Sequence, residues 1–547
     1  MRRFLATIIM VLLFWGLLSS TLIIHLAKAD TIIVPDNYPN IQDAINNANE
    51  GDTVFVKNGT YPENVVVNKT IVLVGESKES TIINGSQVGS VVTVNASNVE
   101  ASGFTIMNSG AAWEGEWWDS GILLVNCSGC RILDNRVTSN WCGIWLQGSA
   151  GNTVAGNDVS ANGMRGIVLD ESANNTVVEN SAIDNGEGVS ILYSFNNSLS
   201  NNIMLGNQYN FGVIGETPDQ FIQNIDASNM VDGKPVYYLL NKSNIVINPS
   251  TFPSVGFLAL INSRNVTVEG LEVGNNTEGL LLANTNDSLI RNGKFANNVY
   301  GISLVVSAND VIAENNVTSN EHGISLRYSC NNVLSRNSIT KNRGGVVLIY
   351  SANNNSVIEN DVVENTACGV NVVDSKYNVV SGNNIEFSDY GVWLDSSTDN
   401  RFYHNNFIDN TQHVYLTPEF VQLPNVWDDG YPSGGNYWSN HTGVDLLRGL
   451  YQNETGSDGI GDTPHGIDLN NTDAYPLMEE WERATIPADV NHDGVVDILD
   501  LVAAAAIYGC RRGEPNWNSE VDLAAPYGVI GMQDLVTICF YYGQKSP

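Results

Sequence analysis

The chain has 547 residues, of which 43% are hydrophobic and 15% charged, with a formal net charge of −34. That length exceeds one ordinary domain, and the apolar content suffices for a large buried core. Only 25 Lys and Arg stand against 59 acids, which argues against a nucleic-acid partner, because phosphate binding needs clustered basic side chains.

In chain order, Arg2 and Arg3 precede an apolar run from Phe4 to Ile24, and Ala27-Lys28-Ala29 comes next. Basic start, apolar stretch and small–x–small site predict a secretory signal over residues 1–29 and an extracellular or cell-surface destination. The run is also long enough for an uncleaved anchor. Next, PNIQDAINNANEGD places Ile41, Ala44, Ile45 and Ala48 on one face of a short helix. Asn40 can cap it, with Asp43 three residues on. A helix here would cover the first edge of the β-structure beyond it.

Beyond this helix the chain repeats. A glycine followed by alternating apolar residues recurs at Gly121, Gly143, Gly166 and Gly188, and again at Gly279, Gly301, Gly323, Gly345, Gly369 and Gly391, in steps of 22 to 24 residues. Asparagines recur at the same period, as at Asn152/Asn157/Asn162 and Asn332/Asn337/Asn342. Three short strands per period, with inward residues at alternate positions, account for the glycine pattern. The asparagines fit tight turns, since Asn tolerates left-handed backbone angles, and equivalent asparagines of successive coils are expected to stack about 4.8 Å apart. The expected fold is all-β: a parallel β-helix solenoid of about sixteen coils over residues 30–410. Excursions are expected near 109–120 and 226–253. Residues 411–478, rich in Gly, Trp and Asp, read as a loop-rich C-terminal cap, and 479–488 as a linker.

Candidate sites are few. The outward positions, taken as two and four after each glycine, are mostly apolar or small. Asp170 and Asp395 occur there about ten coils apart, too far to act as a catalytic pair. Trp145 and Trp393 occur there as sugar-contact candidates. In the first excursion, Glu114 or Glu116 could serve as an acid beside Trp113, Trp117 and Trp118, whose faces can stack on sugar rings. In the cap, Asp458 and Asp462 are a weak candidate for a hard cation. Cys127 and Cys130 are spaced like half a zinc knuckle, with no second pair, and read better as small apolar residues or a local disulfide.

The C-terminal stretch is more specific. DVNHDGVVDILD offers Asp489, Asn491, Asp493, the carbonyl of Val495, Asp497 and Asp500, with Gly494 at the sixth position. Hard oxygens at this spacing wrap one Ca²⁺. The run from Asp500 to Gly509 is repeated thirty-four residues later as Asp534 to Gly543. In the second copy Ala and Pro occupy the ligand region, so one strong site and a weak or absent second are expected. Cys510 and Cys539 could cross-link the halves.

The opening TIIVPDNYPNIQDAINNANEGDTVFVKNGTYPENVVVNKTIVLVGES and the closing NVWDDGYPSGGNYWSNHTGVD…GSDGIGDTP…YPLM resemble the NosD-type β-helix proteins of PbH1-repeat architecture, over about residues 31–478. The resemblance implies a right-handed helix and kinship with carbohydrate-active β-helices. Its association with copper is poorly matched, because Met and His are sparse and unclustered. Residues 489–547 resemble a type I dockerin, which implies an α-helical calcium-binding domain that docks into a cohesin-like scaffold or surface protein. Ile498, Leu499, Met532 and Gln533 fill its recognition positions.

Together these features predict an exported β-helix protein that binds a polysaccharide or a glycoprotein glycan and is tethered through Ca²⁺. Two alternatives stay open: a polysaccharide hydrolase or lyase, and a structural surface protein without ligand.

Overall fold

The computed structural model describes residues 29–112, 119–418, 423–482, 488–490, 496–512, 514, 517–518, 521–524 and 528–543. The expected signal over 1–29 lies, but for Ala29, outside them. The described chain forms an all-β parallel solenoid of about seventeen turns with only three short α-helices. It divides into two compact units.

The first unit holds nearly all the coils. Each contributes short strands stacked in register on the next, as Arg131–Leu133 on Thr153–Ala155 and Tyr300–Val305 on His322–Arg327. Inward residues such as Ile302, Leu304, Ile324 and Leu326 are fully buried. The recurrent glycine is forced by packing. A Cβ on Gly301 would lie 2.5 Å from Val317 Cγ1 and 2.6 Å from the carbonyl oxygen of Gly323 in the next coil.

The periodic asparagines stack from coil to coil as expected, but they do not make the left-handed turns themselves. They are buried, and their side chains stack inward in ladders. Asn337 accepts from Asn315 N (3.0 Å) and Asn315 Nδ2 (3.0 Å), and donates to Ile312 O (2.8 Å) and Asn360 Oδ1 (2.9 Å). The left-handed turn residue is the one before each ladder position, with φ of 58° at Glu179, 53° at Arg336 and 57° at Lys341. Asn is needed because an amide both donates and accepts, so it can satisfy the turn backbone of one coil and the amide of the next.

The capping helix α1 (Ile41–Asn47) forms as expected. Asn40 Oδ1 accepts from Asp43 N at 2.7 Å, and Ile41, Ala44 and Ile45 are buried. The second excursion is more than a protrusion. Met230–Val231 pairs antiparallel with Lys234–Pro235, and the Lys234–Leu240 strand then starts a new parallel stack with Phe257–Ile261. One sheet therefore ends at Tyr209–Ile214 and another begins beyond the hairpin. The expected single run of coils is two successive stacks. Thr277 N donates to Phe211 O (2.9 Å), and Phe211 packs edge-on against Phe257 at 4.9 Å.

The second unit contains 380–384, 401–409 and the chain from 424 onward. Trp427 stacks on Phe402 and Trp438 on Phe407, each at 4.4 Å. Buried Asp473 accepts from Asn436 N and Trp438 Nε1, both at 2.8 Å. Further along, α2 (Ile498–Ala506) and α3 (Met532–Tyr541) pack on a small core of Val490, Val496, Ala504, Val521, Ile530 and Ile538.

Candidate functional site

The C-terminal module is built twice on one plan. Asp500 Oδ1 accepts from Val490 N and its Oδ2 from Asp497 N, both at 2.7 Å. Asp534 repeats this with Ala524 N (2.8 Å) and Gly531 N (2.7 Å). The halves then exchange backbone bonds. Gly509 N donates to Ile530 O (2.8 Å), and Gly543 N to Val496 O (2.7 Å). Every member of the first set lies thirty-four residues before its counterpart.

That register fixes which second-loop positions correspond to the expected ligands of the first. Leu523, Ala525 and Tyr527 fall where the first loop has Asp489, Asn491 and Asp493. Asp522 sits one position too early, and its carboxylate accepts from Gly528 N at 2.6 Å. In the first loop, Asp489 and Asp500 are buried, while Asp497 caps α2 by accepting from Leu499 N at 2.7 Å. Asn491, Asp493 and Val495 lie outside the described residues. Cys510 and Cys539 are free thiols rather than a cross-link.

Both helices expose apolar side chains at equivalent places. Ile498 and Val502 on α2 are matched by Met532 and Val536 on α3, all more than half exposed, and Phe540 extends the second stripe. Leu499 is exposed as well.

On the solenoid, most of the expected outward positions lie outside the main core, but several are covered by their neighbours. Trp145 is buried among Leu123, Cys142, Val168 and Leu192, so it offers no face to a sugar. Trp393 is half-buried against Tyr390 and Tyr415. Asp170 has its carboxyl pushed up to about 6 by burial. The informative column is the residue just before each glycine, which also faces outward. In the first stack it carries Arg165 and Glu187, with Tyr209, which precedes Asn210, aligned to Glu187. In the second it carries Glu278, Tyr300 and His322, aligned on adjacent strands. Arg165 and Glu187 form an ion pair at 2.8 Å, and Ser190 Oγ donates to Glu187 at 2.5 Å.

In the second stack this column meets further polar groups. Tyr300 stacks on His322 at 5.3 Å, with the Arg327 guanidinium 5.5 Å above its ring. Glu278 is fully buried and accepts from Val213 N at 3.2 Å. Burial pushes its carboxyl up to about 8, against the pull of Arg327. Burial also lowers His322, with Arg343 and Arg327 adding to the effect. Reading only the positions two and four after each glycine misses this column. The signal was the run of polar and aromatic types at one fixed offset.

The other expected sites stay apart. Trp113, Glu114, Glu116, Trp117 and Trp118 lie outside the described residues. Asp458 accepts from Gly449 N and Ile460 N at 3.2 Å, and Asp462 from Leu447 N at 2.9 Å, so both tie turns together. Cys127 and Cys130 are buried free thiols.

Residues 45–235 and 240–443 match the family described as periplasmic copper-binding protein (NosD). A cell surface glycoprotein of Methanothermus fervidus is 31% identical over 148 residues, 26% of this chain and 22% of that protein. The chain thus spans about a fifth of that relative. Among solved structures, the A-module of Azotobacter vinelandii mannuronan C-5 epimerase AlgE6 shares 15% identity over 71% of this chain and 93% of its own, with a TM-score of 0.29. An alginate lyase from Paenibacillus shares 13% over 65% of this chain and 94% of its own, at 0.22. Such scores carry no statement about activity. Copper would require converging soft or imidazole donors. Among the described residues no three His, Cys, Asp or Glu side chains come together, so these residues do not fit a copper centre of three or more such ligands.

Proposed function

The chain belongs to the NosD family, and from that premise we propose an exported, surface-associated β-helix protein that binds a polysaccharide or glycoprotein glycan and is tethered by a calcium-dependent dockerin-like module. One observation carries the tether: the apolar stripe exposed on α2 and repeated on α3. A solvated helix pair has no folding reason to expose apolar residues at the same positions twice. A partner that reads the module's two-fold plan does. The cohesin-like scaffold or surface protein would cover that stripe.

Calcium would be held by Asp489, Asn491, Asp493, the Val495 carbonyl, Asp497 and Asp500, which neutralises a dense group of acids and closes the first loop. The module's core is small, so metal binding and folding would be one event. The second loop, with Leu, Ala and Tyr at the first three ligand positions, would close on protein hydrogen bonds alone.

The matched surface glycoprotein supports a place outside the cell. The polar column on the solenoid supports the glycan part. To test it, the calcium-loaded full chain is passed over immobilised neutral and acidic polysaccharides, and new chain ends are followed. Retention without new ends supports the binding reading, new ends would make the protein an enzyme, and retention on none overturns glycan binding.

A further inference from the structure

Several buried polar atoms on the second stack lack any hydrogen-bond partner among the described residues: Glu278 Oε1, Ser303 Oγ, His322 Nδ1, Ser325 Oγ, and Nε and Nη2 of Arg327. Glu278, Ser303 and Ser325 are at 0% exposure. Such groups are rare singly, because an unmet donor or acceptor removed from water is destabilising by about 1–3 kcal/mol. Here they are neighbours. The strands Glu278–Ala283, Tyr300–Val305 and His322–Arg327 are consecutive, with Glu278 aligned to Tyr300 and Tyr300 to His322, Ser303 to Ser325, and Val305 to Arg327. At a strand spacing of about 4.8 Å the set spans one or two sugar rings.

We propose that this patch binds the anionic group of an acidic glycan, with Arg327 receiving the charge, Ser303 and Ser325 meeting ring hydroxyls, and Arg343 guiding the chain at the rim. The proposal rests on the glycan reading above and narrows it to one substrate class. Three features point to an anion. Arg327 has two donors free in a fixed planar fork, the geometry that suits a carboxylate or sulfate. Burial pushes the carboxyl of Glu278, the nearby acid, up to about 8, which weakens it as a counter-ion to the guanidinium. Beside the patch runs a groove of about 560 Å³ lined in part by Tyr209, Glu321, Lys341 and Arg343. In a chain with 25 Lys and Arg against 59 acids, Arg327 and Arg343 on adjacent coils, beside a Lys341 that pairs with Glu364 at 3.6 Å, form an unusual gathering of cations. The Tyr300–His322 stack supplies the flat face that a sugar ring packs on.

A uronate carboxylate and a sulfate ester offer the same chemistry to Arg327, so the test separates them. Binding of the calcium-loaded full chain to polygalacturonate, dextran sulfate and neutral dextran is measured by calorimetry. Wild type should bind one of the two anionic polymers and dextran at least tenfold more weakly. Arg327→Gln and Arg343→Gln should each weaken the anionic polymer at least tenfold. Arg343 is exposed, so its variant reports even if Arg327→Gln fails to fold. Tighter binding to dextran than to either anionic polymer would overturn the anionic proposal while the glycan reading stands. Binding to none would overturn both. Anionic binding unchanged in both variants would overturn the assignment to this patch.

Discussion

One rung of an inward ladder holds an acid between Ser288 and Asn332, and replacing Asp310 with Asn should stabilise the solenoid in a pH-dependent way. Asp310 is fully buried; its Oδ1 accepts from Ser288 N at 2.8 Å, and its own N donates to Asn332 Oδ1 at 2.9 Å. Its Oδ2 has no partner among the described residues. Burial raises the carboxyl from 3.8 to about 8. A folded-state pKa above the unfolded value means the native state holds the proton more tightly. The contribution is therefore fully present below about pH 4 and is lost as pH rises toward 8. One pH unit in that window is worth about 1.4 kcal/mol, so the loss between pH 5 and 7 is roughly 3 kcal/mol as an upper value. Asparagine has no proton to lose and restores the donor that Asn332 uses toward Ser307 O and Asn355 Oδ1. Denaturant unfolding of wild type and Asp310→Asn at pH 5, 6, 7 and 8 reads the effect. The variant's advantage should grow with pH. An advantage constant across the range, or a variant less stable at pH 8, would refute the reasoning.

The same geometry sets other outcomes. Asn337→Ala removes four buried hydrogen bonds and should destabilise by about 3–5 kcal/mol, seen as a lower denaturation midpoint. Gly301→Ala drives a methyl into the next coil and should lower stability by about 2–4 kcal/mol, measured by thermal melting. Val536→Asp should leave the module folded by circular dichroism yet abolish calcium-dependent binding to its surface partner. Asp493→Ala should weaken calcium binding at least a hundredfold by calorimetry, whereas Asp522→Asn should leave it within about twofold.

The coil, its period and the capping helix were legible because each rests on a local or a repeated contact. Asn40 caps through its own turn, and Gly301 meets Val317 and Gly323 in the next coil as its periodic counterparts meet theirs, so one repeated contact marks the period. The role of the ladder asparagines was misread as turn-making, because sequence shows the residue and not the direction of its side chain. The chain reversal at Met230–Pro235 falls within the expected excursion at 226–253, but an antiparallel pairing leaves no mark in the repeat pattern. The polar patch was hidden for a related reason. Glu278, Tyr300 and His322 lie 22 residues apart, and only the stacking register makes them neighbours. The duplication of the C-terminal module was readable as a thirty-four-residue spacing, while the second loop's one-residue offset at Asp522 needed the paired hydrogen bonds of Asp500 and Asp534.

The most direct test of a calcium-tethered surface protein is a calcium titration of the full chain, monitored by calorimetry and hydrogen exchange over residues 488–543. The account predicts one Ca²⁺ per chain and a gain of protection in α2 and α3 that Asp493→Ala abolishes. No binding to the module, or protection there that ignores both calcium and the substitution, would contradict it.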